Sequence, residues 1–212
     1  MTFGNVLIFG DSYSTFKDAV PDGYAVYYTT KREIGPNITD ISDTWWYPLM
    51  KETDSNLVRN DSWSGSTICY TGYNGTDTSK TNCFIFRLRK LAESGFFREN
   101  RIDTVFIFGA TNDNWADAPL GENKYSNIDE SDLYCVLPAI SYFIGELKST
   151  LPEARIIFII NSELKSEITL GIKNAAEHYG IDSILLKDIE KGAGHPTVLG
   201  MRQIKEQILR KI

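Results

Sequence analysis

Five short runs of apolar and β-branched residues punctuate this chain, and what separates them leaves few folds open. They are "NVLIF" (5–9), "SNLVRN" (55–60), "TVFIF" (104–108), "RIIFII" (155–160) and "SILLK" (183–187). Three of them lack the alternation of a half-exposed strand, as expected for strands covered on both faces. Helical patterns lie between: 44–52, 83–94 stopping at Gly95, 131–149, 164–179 stopping at Gly180, and a last helix from about 197. Pro138 either kinks the 131–149 helix or marks its true start. Strands alternating with helices imply right-handed βαβ units on a parallel sheet. The expectation is one domain over 1–212, a three-layer α/β/α sandwich whose five-stranded parallel sheet runs in the order 2-1-3-4-5. Two connections, 17–43 and 114–130, are too long for simple turns, and such loops tend to carry function.

The composition excludes several function classes. A net charge of −6 argues against a nucleic-acid or anionic-membrane partner, because either needs clustered positive charge. The densest basic cluster, Arg87, Arg89 and Lys90, reads as one solvated helix face. Cys69, Cys83 and Cys135 show no C-x-x-C spacing and read as reduced, small core residues. With His178 and His195 the only histidines, a multi-histidine metal site is excluded. No apolar run reaches the roughly 18–20 residues that span a bilayer. As it stands the chain reads as cytoplasmic; a secreted or periplasmic parent with its signal peptide removed would read the same. Nothing in the sequence sets the oligomeric state.

Ligands of an open parallel sheet bind beyond the carboxyl ends of its strands, so the residues just after each run matter most. There the sequence places "GDSYS" (10–14), "NDSWSGST" (60–67), "GATND" (109–113) and "GHPT" (194–197). Together they supply the parts of an acyl-transfer site. Ser12 is the candidate nucleophile and needs a neighbouring base. His195 is the histidine placed to be that base and then the acid to the leaving group. The Ser12 and Gly65 backbone N–H groups and the Asn112 side chain suit an oxyanion hole. Glycine at 65 fits a close approach of backbone to ligand. The aromatic residues beside these blocks, among them Tyr24, Tyr27, Tyr28, Trp45, Trp46, Trp63, Tyr70, Tyr73 and Trp115, either line a cleft or pack the core. His178 reads as structural. In isolation Ser12 would pass for a turn or helix N-cap residue, and "GDSYST" for a phosphate cradle.

Taken in order, the four blocks resemble the SGNH, or GDSL-like, hydrolase family, named for its Ser, Gly, Asn and His. Tyr13 stands where that family commonly has leucine, and Ser62 where it has the first glycine of its second block. The resemblance spans residues 10 to 200 and implies the flavodoxin-like fold of that family. It also implies a serine esterase with no metal or organic cofactor, acting on a small-molecule or carbohydrate ester, acetyl being the first acyl group to consider. Thioesters and lysophospholipids are also within the family's range. The family's orienting aspartate, three residues before the histidine, is replaced here by Gly192. That leaves a Ser-His dyad with the imidazole held by a backbone carbonyl, or a triad completed by Asp188 or Glu190. A non-catalytic binding domain on the same fold is the alternative from another class. A flavodoxin-like nucleotide binder would instead use residues 11–15 as a cradle and leave His195 idle.

Overall fold

A computed structural model describes residues 2–31 and 35–212; residues 32–34 of the long 17–43 stretch lie outside the described residues. The apolar runs become β1 (Asn5–Gly10), β2 (Asn56–Ser62), β3 (Thr104–Gly109), β4 (Arg155–Ile160) and β5 (Asp182–Leu185). All neighbours pair in parallel, in the order β2-β1-β3-β4-β5. β5 ends earlier than its sequence pattern suggests. Leu186 makes one more bond to the Ile160 carbonyl, and then Asp188 turns left-handed, at φ 51°.

Because successive side chains in a strand point to opposite faces, each buried strand feeds two cores. Leu7, Phe9, Val105, Ile107, Ile156, Phe158 and Ile160 face one side, where α2 (Phe84–Glu93), α5 (Val136–Thr150) and α6 (Ser166–Tyr179) cover them. Val6, Ile8, Phe106, Phe108, Ile157 and Ile159 face the other, under α1 (Trp46–Glu52) and α7 (Val198–Lys211). The nearly unbroken apolar runs follow directly, since neither face meets water.

The local stops behave as expected. Gly95 and Gly180 adopt left-handed backbone at the ends of α2 and α6, where a Cβ would be penalised. Pro138 marks the true start of α5. It is the third residue of the helix, where its missing N–H leaves no helical bond broken. The free N–H groups of Val136 and Leu137 bond the carbonyls of Pro119 and Leu120, so the 114–130 connection caps that helix. The sequence pattern missed two short helices, α3 (Phe96–Glu99) and α4 (Thr111–Trp115), which have too few residues to show a period. It also missed a two-residue hairpin, β6 (Lys191–Gly192) with β7 (His195–Pro196). Among the described residues no helix is long and apolar enough to cross a membrane.

Candidate active site

The strand order reverses at β1, which lies between β2 and β3. A crevice forms at such a switch point beyond the strand ends. Ser12 opens a 3-10 turn, Ser12–Ser14, directly after β1. Asp11, not Ser12, is the cap of that turn: its Oδ1 accepts the Tyr13 N–H at 3.0 Å. The serine hydroxyl is therefore free for other work. It lies 2.9 Å from His195 Nε2.

The β6–β7 hairpin delivers the histidine. Its two-residue loop, Ala193 (φ 49°) and Gly194 (φ 78°), is left-handed at both positions, as a type I′ turn requires. Two phenols hold it in place: Tyr13 Oη donates to the Gly194 carbonyl at 2.6 Å and Tyr28 Oη to the Pro196 carbonyl at 3.0 Å. The Tyr27 ring, from the 17–43 stretch, stacks on the imidazole at 3.4 Å and 6°. His195 Nδ1 lies 3.2 Å from the Ala193 carbonyl. A carbonyl can only accept, so Nδ1 carries the hydrogen and Nε2 presents its lone pair to the Ser12 hydroxyl.

Neither sequence candidate for a third member reaches the ring. Glu190 accepts the Thr197 hydroxyl on Oε1 at 2.5 Å, and Thr197 in turn caps α7. Asp188 is exposed beyond the end of β5. Among the described residues, the Ala193 carbonyl of the same hairpin lies within reach of Nδ1.

The candidate oxyanion groups follow two other strands, Gly65 after β2 and Asn112 after β3. Gly65 has φ 82°, and a Cβ there would meet open space, so left-handed backbone is the visible reason for glycine. Asn112, on α4, is buried; its Nδ2 donates to the Ser66 carbonyl at 3.0 Å and its Oδ1 accepts from Tyr73 Oη at 2.7 Å. Its neighbour Asp113, which the sequence reading passed over, is also buried. Its carboxylate takes the backbone N–H groups of Ile68 and Cys69 and so ties the glycine-bearing loop to α4. Burial pushes the Asp113 carboxyl above its ordinary range, those N–H bonds opposing the shift.

Arg87 corrects the reading of a solvated basic face. Its side chain is 1% exposed. Nη1 bonds Asp61 Oδ2 at 2.9 Å and, very closely, the Asp61 carbonyl. Nη2 reaches the Gly10 carbonyl and Ser66 Oγ, both at 3.2 Å. One guanidinium thus spans the ends of β1 and β2 and the loop between Gly65 and Asp113. Of the partners in that basic cluster, only Arg89 and Lys90 make surface ion pairs, with Glu130 and Glu93.

Asp11 is fully buried beside the serine. Burial pushes its carboxyl up to about 7, the Tyr13 N–H and Thr111 pulling it back and Asp113 adding repulsion. Its Oδ2 has no hydrogen-bond partner among the described residues. Backbone strain also gathers here. Among described non-glycine residues with positive φ, Asp18, Asp54, Asn74, Asp117, Asn127 and Asp188 are types that tolerate it. The other two are alanines: Ala110 caps the helix that carries Asn112, and Ala193 orients His195.

The aromatic residues divide between the two readings. Trp45, Trp46, Tyr28 and Tyr70 are buried. Tyr24 and Trp63 pack on one another. Tyr73 and Trp115 are each 40% exposed and stand on the rim, one bonded to Asn112 and one packed on His195. His178 stacks on Tyr125 at the surface. Among the described residues no cluster of three or more His, Cys, Asp or Glu side chains could hold a metal ion.

The model of the GDSL-like Lipase/Acylhydrolase family matches residues 4–212. The chain belongs to that family. It is a hydrolase acting on ester bonds, in keeping with a serine, a histidine and amide donors gathered at one sheet edge. The comparison with curated proteins returned no match. Among solved structures, this GDSL-like hydrolase is 40% identical to a candidate GDSL-like lipase from Bacteroides ovatus, with TM-score 0.91 and all of both chains covered. A second candidate GDSL-like lipase, from Bacteroides uniformis, is also 40% identical, with TM-score 0.91 over 99% of this chain and 95% of that one. An acetyl xylan esterase from Butyrivibrio proteoclasticus shares the fold at 16% identity, with TM-score 0.60 over 99% of this chain and 63% of that one.

Proposed function

We propose that this acylhydrolase is a serine esterase that removes a short acyl group, acetyl first, from a carbohydrate through an acyl-enzyme. The 2.9 Å contact between Ser12 Oγ and His195 Nε2 carries the reading. Ser12 Oγ attacks the ester carbon while Nε2 takes its proton. The Ala193 carbonyl accepts Nδ1–H and helps to steady the imidazolium. The oxyanion is received by the N–H groups of Ser12 and Gly65 and by the second Nδ2 hydrogen of Asn112. Collapse expels the alcohol, which takes the proton back from Nε2. A water then repeats the sequence on the acyl-serine and releases the acid. The fold shared with an acetyl xylan esterase, and the two rim aromatics, make an acetylated carbohydrate the first natural substrate to try.

The test is hydrolysis of a short-chain aryl acetate by the wild type and by Ser12→Ala, then of acetylated xylan. The substitution should lower kcat by at least about 10⁴-fold. Equal activity of the two proteins would remove Ser12 from the mechanism. A wild type that ignores acetyl esters but cleaves long-chain acyl esters or thioesters would overturn the short-acyl reading.

A further inference from the structure

Of the three candidate oxyanion donors, Asn112 alone is a side chain. An amide can turn over about its last bond and present an oxygen where a donor is needed. The backbone N–H groups of Ser12 and Gly65 cannot. What holds the Asn112 amide the right way round must therefore be its neighbours. Nδ2 donates to the Ser66 carbonyl at 3.0 Å, and that carbonyl can only accept. The atom on the other side is then Oδ1, and Tyr73 Oη, 2.7 Å away, must be the donor to it. Reversing the amide would set its oxygen against a carbonyl oxygen.

We infer that Tyr73 is a positioning residue for the oxyanion hole: its phenol locks and polarises the Asn112 amide, so that the remaining Nδ2 hydrogen stays available to the reacting oxygen. The inference rests on the serine-esterase reading above. Donation into Oδ1 draws electron density from the amide and strengthens its N–H groups as donors. The phenol keeps its proton throughout the neutral range, since burial and the carboxyls of Asp11 and Asp113 push it up to about 12.

Tyr73 does not depend on Asn112 for its own position. It begins a 3-10 turn, Tyr73–Gly75, whose Asn74 and Gly75 are left-handed at φ 56° and 72°. The base of that turn is closed by the Gly72 N–H on the Thr76 carbonyl at 2.7 Å and by the bridge between Thr71 and Asp77. The opposite anchor is equally fixed, because Asp113 holds the loop after Ser66. The hydroxyl of Tyr73 points inward to the amide while its ring is 40% exposed on the rim.

The experiment is Tyr73→Phe, which keeps the ring and removes the donor. With the aryl acetate, kcat should fall roughly tenfold, the scale of one hydrogen bond, with KM changed less than about twofold and the melting temperature lowered by no more than about 5 °C. In an Asn112→Ala background the same substitution should do nothing further. An unchanged kcat, or an additional loss in the Asn112→Ala background, would overturn the inference. If the wild type hydrolyses no acyl ester, the esterase reading fails, and the lock is read by NMR instead. The Asn112 Nδ2 protons should exchange slowly with solvent in the wild type and measurably faster in Tyr73→Phe. A pair unaffected by the substitution would count against the lock itself.

Discussion

Asp11 places a fully buried carboxyl group beside the serine, one of its oxygens without a hydrogen-bond partner among the described residues. What it contributes is the cap on the Ser12 turn, through Oδ1 and the Tyr13 N–H. What it costs depends on pH. Its carboxyl is raised from 3.8 to about 7 by burial, so between those values the folded chain holds a proton that the unfolded chain has released. The stabilisation is full below about 3.8 and is lost as pH rises to 7, on the order of 4 kcal/mol for a shift of that size. Asp11→Asn preserves a cap acceptor and removes the titration. In urea unfolding from pH 4 to 8, the wild type should lose stability relative to Asp11→Asn as pH rises, with the gap levelling off above about 7. Asp113, also raised, is present in both proteins, and its repulsion with Asp11 forms part of the difference. Parallel stability profiles would show that Asp11 does not titrate in that window.

Besides the sheet, Arg87 joins the elements around the site, reaching from α2 to the carbonyl end of β1 and the acid of β2. Arg87→Met would leave Asp61 buried with Arg59, 27% exposed, and the Tyr24 hydroxyl on its other oxygen. Loss of one partner from a buried pair costs about 3–5 kcal/mol. Because Arg59 remains, the loss should fall near 3 kcal/mol in chemical denaturation, against less than about 1 kcal/mol for Arg59→Met. Equal losses would mean that the buried arm of the pair holds no more than the exposed one. The sequence did hold a sign of this burial. Arg87 shares the apolar stripe of Phe84, Leu88 and Leu91 at helical spacing, and its charge masked the position. Ser12, Gly65 and Asn112 stood out as candidates in the sequence because each lies just past an apolar strand, and His195 because it lies just before the last helix. Tyr73 and Asp113 did not, because their meaning lies in bonds to residues 39 and 45 positions away. The β6–β7 hairpin escaped for the opposite reason: strands of two residues are too short for any periodicity to mark them.

At the scale of the molecule, one sheet supplies both cores, and this bears on whether the chain unfolds in one step. Along β3 and β4, Phe106, Phe108, Ile157 and Ile159 belong to the core under α1 and α7, while Val105, Ile107, Ile156 and Phe158 belong to the other. Stripping the helices from one face would expose an entire set of these side chains, each worth about 1.5–3 kcal/mol when buried. The strands between them would then be bare on one side. We therefore propose a single folding unit over the whole chain, with no stable half. The residues allow a direct check, because the two faces carry different probes. Trp45 and Trp46 lie in the α1–α7 core, whereas α2, α5 and α6 contribute most of the helix on the opposite face. Tryptophan fluorescence and far-ultraviolet circular dichroism should therefore report one denaturant midpoint and one slope. If the tryptophan signal moved first, the α1–α7 layer would be a separate unit and the shared strands would not couple the cores. If the midpoints coincide, a substitution such as Phe158→Ala, on the face away from Trp45 and Trp46, should shift the tryptophan transition by the same 3–5 kcal/mol, roughly, that it removes from its own core.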